Sequence, residues 1–219
     1  MMKRKLRVGL LIGLSLIIWL ASPAAAQIRF YIGGEGAYSF TSMVSGGYNS
    51  DGGFDNTGTG KMSVFRPGAH AGIELAHLVK IDVGYLSRNK LSYTTSGYSA
   101  DLPYITSIDV TALTLSAYFK LIPGSLFSPY IGGGLVSAKT TLSTTDTIVI
   151  GSLSKTLMSW HAEAGLEFEI MNMVGLQIGY RYLNLGKYDA AIAEGLTPAG
   201  NFTADLTAHE IVARVFVIF

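Results

Sequence analysis

The chain of 219 residues contains no cysteine, which excludes a disulfide framework, a thiolate metal site and a lipid-modified N-terminal Cys. Charge is scarce: Asp, Glu, Lys and Arg make up 14% of the residues. A basic excess is also lacking once the first 26 residues are set apart. "MMKRKLR" is a basic start, Val8 to Leu20 is an apolar run of 13 residues, and "SPAAA" leads to Ala26 ahead of Gln27. This is the layout of a cleaved secretory signal peptide, and its run falls short of the about 20 residues of a membrane-spanning helix. The leader takes Lys3, Arg4, Lys5 and Arg7, leaving 12 basic residues against 15 acidic, a net charge of −3. No basic field points to a nucleic-acid partner. Beyond the leader no apolar run reaches 18 residues, which excludes helical membrane spans.

What remains, residues 27–219, is enough for one domain and is rich in Gly (26 in the whole chain), Tyr (12) and Phe (10), a mixture that favours strands and turns. Eight segments read as strands, at 28–40, 62–75, 79–93, 106–122, 129–143, 155–171, 174–188 and 204–219. Each exceeds the ~9–11 residues needed to cross a bilayer at a tilt. The connections after the second, fourth and sixth are short ("AHL", "PGSLFS", "NM"), and the others are longer and polar. Short turns at one end and long loops at the other describe an up-and-down barrel with both termini at the short-turn, periplasmic end.

Phase indicates which face is apolar. On the second strand Phe65, Ala69, Ala71 and Ile73 oppose Arg66, His70 and Glu74; on the third Ile81, Val83 and Tyr85 oppose Lys80, Asp82, Arg88 and Lys90. On the fourth Leu113, Leu115 and Phe119 oppose Thr114, Ser116, Tyr118 and Lys120, and on the sixth Met158, Trp160, Leu166 and Phe168 oppose His161, Glu163, Glu167 and Glu169. With so little charge, the economical arrangement puts the apolar face to lipid and the charged face to the lumen. The expected fold is all-β, an eight-stranded antiparallel transmembrane β-barrel. Phe30, Tyr38, Phe40, Tyr85, Tyr93, Phe119, Tyr130, Trp160, Phe168, Tyr180, Tyr182, Tyr188 and Phe219 lie near strand ends and read as interfacial girdles.

An eight-stranded barrel is just wide enough to be filled by side chains. Glu35, Arg66, Glu74, Arg88, Lys120, Glu163, Glu167, Arg181, Glu210 and Arg214 are expected to form a lumenal salt-bridge network, because charges enclosed without partners cost several kcal/mol each. The strip "HAEAGLEFE", with His161, Glu163, Glu167 and Glu169, has the residue types of acid–base catalysis, but no nucleophile stands beside it and the ion-pair reading is preferred. "DNTGTGKM" has Asp55 and Met62 where a phosphate loop needs Gly and Ser or Thr. The four His are scattered. No catalytic site, cofactor or metal is expected.

"SPYIGGGLVSAKT" (128–140), "LSAYFKL" (115–121), "GLQIGYRYLNLG" (175–186) and "LTAHEIVARVFVIF" (206–219) resemble the opacity-type surface antigens, small outer-membrane barrels akin to the OmpA-like transmembrane domain. The resemblance implies a bacterial outer-membrane protein inserted by the barrel-assembly machinery, with Val217 and Phe219 matching the aromatic-terminated assembly signal; Arg214 stands where a Gly is common. It also implies action through extracellular loops, as adhesin or host-facing antigen, or envelope stabilisation. A narrow pore for small solutes is the alternative. Pro67 within the second strand is expected to mark a bulge.

Overall fold

A computed structural model describes the backbone of residues 28–50, 56–57, 61–95, 104–145, 150–171, 173–192 and 200–219, and the side chains of 28–42, 63–87, 90, 107–141, 154–171, 173–187 and 205–219. The expected leader and the side chains of Arg88, Tyr93, Tyr188 and the "DNTGTGKM" stretch lie outside these ranges.

The strands are β1 (Ile28–Ser50), β2 (Asn56–Thr57), β3 (Lys61–Leu75), β4 (Val79–Thr95), β5 (Tyr104–Lys120), β6 (Phe127–Thr145), β7 (Ile150–Ile170), β8 (Val174–Ile192) and β9 (Gly200–Ile218). β2 is a two-residue pairing on β1 at Gly47 and Tyr48. The other eight form a sheet in which every neighbour is antiparallel, and β1 pairs with β9 from Tyr31↔Ile218 to Ser50↔Gly200, closing the barrel. Closure leaves no edge where lipid would have to satisfy backbone groups.

At the end where β1 begins and β9 finishes, the connections are tight. Ala76 and His77 both have positive φ (52° and 56°), and the Leu78 N–H donates to the Leu75 carbonyl at 2.9 Å, the two-residue hairpin geometry whose twist suits the flanking strands. Gly124 (φ 73°) serves the β5–β6 turn.

Facing follows the alternation. Phe65, Val83, Leu115, Ile178 and Val215 are all more than half exposed, whereas Glu74, Lys80, Glu167 and Glu210 are at most 1% exposed. Phe30, Phe119, Phe127 and Phe219 ring the outer surface at the turn end; Tyr38, Phe40, Phe65, Tyr85, Trp160 and Tyr180 ring it nearer the loop end. Phe30 and Phe40 lie ten residues apart along β1, the length of strand a tilted crossing needs (~9–11 residues). Tyr130 departs from the expected girdle. It is 1% exposed, because β6 turns Ile131 and Leu135 to the outside and so Tyr130 and Val136 inward.

The wall is complete only in its turn-end half. The β3–β4 ladder runs from Leu75↔Val79 to Gly68↔Leu86 and stops, and the β7–β8 ladder stops at Trp160↔Asn184. All four strands continue, each paired only with its other neighbour. Above the loop-end aromatic ring the barrel therefore divides into two four-stranded sheets, β4–β5–β6–β7 and β8–β9–β1–β3. Bulges at Leu86/Asn89 on β4 and at Asn184/Gly186 on β8 border the two slits. The β4 bulge also changes the phase of that strand, so Lys90 is exposed rather than lumenal. Pro67 holds register opposite Gly36 without a bulge. Lacking an N–H, it stands next to the last rung that β3 shares with β4.

Between the two sheets lies an apolar core: Leu86, Ile108, Val110, Ala112, Val136, Ala138, Leu183, Leu185, Leu206 and Ala208, with Val64 and Leu157 packed against it. Among the described residues the lumenal ion pairs thus lie in the turn-end half. The loop-end half is lined mainly by hydrocarbon, with Ser39, Thr41 and Thr140 buried beside it, contrary to the expectation of a charged face along the whole lumen.

Candidate functional site

The charged half of the lumen is built in two layers. Nearest the turns, Glu74 accepts hydrogen bonds from Arg29 Nη2 (2.8 Å) and Lys120 Nζ (2.9 Å), with Lys80 Nζ at 3.6 Å. Glu167 accepts from Lys80 Nζ (2.7 Å) and Gln177 Nε2 (2.6 Å) and pairs with Lys120, while Glu169 pairs with Arg29 and Lys120. Three carboxylates thus meet three cations. Above them, Glu35 accepts from Arg181 Nη2 and Arg214 Nε, each at 2.7 Å; Glu163 accepts from Arg214 Nη2 (2.8 Å) and the Tyr130 hydroxyl (2.7 Å). Glu210 accepts from Arg66 Nη1 (3.0 Å) and Arg181 Nε (2.7 Å). Again three meet three. Equal numbers of opposite charges, each bonded across the barrel, are what make burial in a low-dielectric interior tolerable.

Between the layers Asp82 accepts from the Tyr31 hydroxyl (3.3 Å) and faces His70 Nδ1 (3.6 Å). An aromatic cluster lies at this same level, between the layers. Phe216 lies 5.3 Å from the Tyr31 ring, carries Lys80 Nζ 3.9 Å from its own centroid, and clusters with Ile218. Its ring occupies the space a Cβ on Gly175 would need. Gly175 is glycine because β8 has to admit that ring.

Of the residues singled out from sequence, Glu35, Arg66, Glu74, Lys120, Glu163, Glu167, Arg181, Glu210 and Arg214 come together in these two layers. Arg29, Lys80, Asp82 and Gln177 were not among the candidates. Their signal was phase: Arg29 lies on the same face of β1 as Glu35, and Lys80 and Asp82 lie on the polar face of β4. The catalytic strip is dispersed among ion pairs. His161 Nε2 meets Ser116 Oγ at 3.0 Å, but His161 Nδ1 has no hydrogen-bond partner among the described residues, so the third group that orients such a base is missing from the pair.

Residues 11–219 match the family described as the outer membrane protein beta-barrel domain. The chain belongs to that family. Its fold is also that of solved outer-membrane proteins. OprG from Pseudomonas aeruginosa aligns with a TM-score of 0.66 at 16% identity, covering 89% of this chain and 97% of that one. AlkL, determined by solid-state NMR in DMPC lipid bilayers, gives 0.59 at 14% identity, covering 90% and 92%. Neisserial surface protein A gives 0.54 at 18% identity, covering 86% and 96%. No curated protein matches the chain. This outer membrane barrel is therefore an eight-stranded protein of the bacterial outer membrane, and its exposed Phe, Leu, Ile and Val face lipid.

Proposed function

We propose that this barrel is a non-conducting surface protein. Its membrane half is an anchor, and its two outer sheets with the connections they carry make contact with a host or the environment, or stiffen the envelope. One observation carries the reading: six carboxylates and six cations, with Tyr31 and Phe216 packed among them, fill the turn-end half of the lumen from wall to wall. A solute would have to break several buried ion pairs to pass, at several kcal/mol each. The same plug argues against the narrow-pore alternative, and the commitment of the six lumenal glutamates to cations argues against an enzyme.

On this reading residues 1–26 are removed on export, and Val217 and Phe219 present the terminal strand to the assembly machinery. The outward position of Phe219 beside Phe30, with which it exchanges backbone hydrogen bonds of 2.8 and 3.3 Å, leaves its ring accessible to such a partner. Two measurements test the proposal. Refolded protein in a planar bilayer should give no steady conductance; a reproducible open level would overturn the plugged reading. Cells displaying variants shortened between β1 and β3 or between β8 and β9 should lose surface attachment while keeping a folded barrel, and unaltered attachment for every shortened variant would refute contact through this end.

A further inference from the structure

The loop-end half combines three features that no anchor requires. The first is the pair of slits. In the hydrocarbon an open wall would expose backbone groups; the β3–β4 ladder holds to one residue past the outward Tyr85, three residues short of Phe65, and the β7–β8 ladder holds to Trp160. The slits therefore open where acyl chains meet headgroups. The second is the apolar core behind them, which includes the small side chains of Ala112, Ala138 and Ala208. Across the slits the sheets are joined through side chains, such as Leu157 packed over Gly186, and not by ladder bonds. Parting them exchanges hydrocarbon contacts, which an alkyl chain restores in kind.

The third is Arg66. It is the first inward residue of β3 beyond the last rung shared with β4, and the next inward residue, Val64, packs on the apolar core. Arg66 is 2% exposed and gives one hydrogen bond, from Nη1 to Glu210. Its Nε and Nη2 have no hydrogen-bond partner among the described residues. Arg214 in the same layer uses all three nitrogens, and Arg181 uses Nε and Nη2. Buried donors left unsatisfied are rare and costly. Nε and Nη2 form one edge of the guanidinium, a fork aimed at an oxygen acceptor.

Charge balance selects among acceptors. The upper layer already has three carboxylates for three guanidiniums, and Asp82 lies below it, so a further anion would be unpaired in a low-dielectric space. A neutral oxygen satisfies the fork without that penalty.

We propose that the loop-end core is a binding site for one long alkyl chain ending in a neutral oxygen acceptor, a carbonyl or hydroxyl. The molecule is taken from the outer leaflet through a slit, its chain lies between the two sheets, and its oxygen sits on the Nε/Nη2 edge of Arg66. This goes beyond the surface-contact reading and does not depend on it, since the site lies above the plug and requires no passage through the barrel.

The test uses a long-chain methyl ketone enriched with carbon-13 at its carbonyl, added to the refolded protein in phospholipid bicelles. The expected result is a second carbonyl resonance, shifted by hydrogen bonding, that saturates at one ketone per barrel. A long-chain alcohol should displace it, and a carboxylate of equal length should not. Arg66→Met should weaken binding roughly tenfold or more, the loss of a charged hydrogen bond. Ala138→Phe, which leaves Arg66 in place and fills the core, should remove the second resonance; it decides the matter if Arg66→Met does not fold. A single bilayer resonance at all protein concentrations would overturn the proposal. So would a bound resonance unchanged in the folded variants, and stronger displacement by the carboxylate would refute the choice of a neutral ligand.

Discussion

Replacing Glu210 by Gln is the sharpest perturbation of the lumen. Glu210 is fully buried and accepts hydrogen bonds from Arg66 Nη1 (3.0 Å) and from Arg181 Nε (2.7 Å), with Arg181 Nη2 at 2.6 Å. Gln keeps the shape but removes the charge, and its amide nitrogen meets donors instead of accepting from them. The upper layer then holds three guanidiniums against two carboxylates. Breaking a buried pair by removing one partner costs about 3–5 kcal/mol, because the partner left behind is desolvated and uncompensated. The folding equilibrium in lipid vesicles should fall by a factor of roughly a hundred to a few thousand, measured as a lower urea midpoint and as earlier loss of the compact gel band on heating. Adding Arg66→Met to Glu210→Gln should recover part of the loss, since it removes one of the stranded cations. A loss below about 1 kcal/mol for Glu210→Gln, the size of a solvent-exposed pair, would refute the claim that this network is desolvated.

Other perturbations examine the wall, the packing of Phe216 and the terminal strand. Val215, 55% exposed beside lumenal Arg214, faces lipid, so Val215→Arg should cost about 2–4 kcal/mol near mid-bilayer, read as lower folding yield into liposomes; an unchanged yield would refute the facing of β9. Gly175→Leu would drive a side chain into the Phe216 ring and should abolish heat-resistant gel migration, and wild-type resistance in that variant would show that Phe216 does not pack over Gly175. Phe219→Ala should slow assembly in cells while leaving refolding into liposomes unchanged. Equal assembly rates in cells would remove Phe219 as the signal.

The turn-end half was legible in sequence because the membrane makes it so. A strand between lipid and a charged lumen has to alternate, and β5 does so without interruption from Leu113 to Lys120. The expected strand 28–40 extends in the structure to Ser50, however, since "TSMVSGGYNS" lies beyond the girdle and nothing there forces one face to be apolar. Lys90 was misplaced for a related reason: a bulge at Leu86/Asn89 shifts phase by one residue, and alternation read straight through it assigns the following side chains to the wrong face. Tyr130 was placed on the girdle from its position near a strand end, when its neighbours Ile131 and Leu135 already fixed its phase.

The hydrocarbon core of the loop-end half exposes a deeper limit of reading by polarity. Ile108, Val110 and Ala112 share the inward phase of Thr114 and Ser116, so one face of β5 changes from apolar to polar partway along a single strand. Alternation assigns residues to two faces but says nothing about what each face meets, and that depends on height. Within the membrane the outside is apolar and the inside is left to charge; above it the two sheets face water, and their enclosed surfaces have to be hydrocarbon as in any sandwich. The exchange occurs at the level where both slits begin, and Arg66 stands at that boundary with Nη1 bound to the ion network and Nε and Nη2 without a partner among the described residues. A residue in that position belongs to both halves, which is why its unsatisfied nitrogens are better explained by a ligand of mixed character than by either half alone.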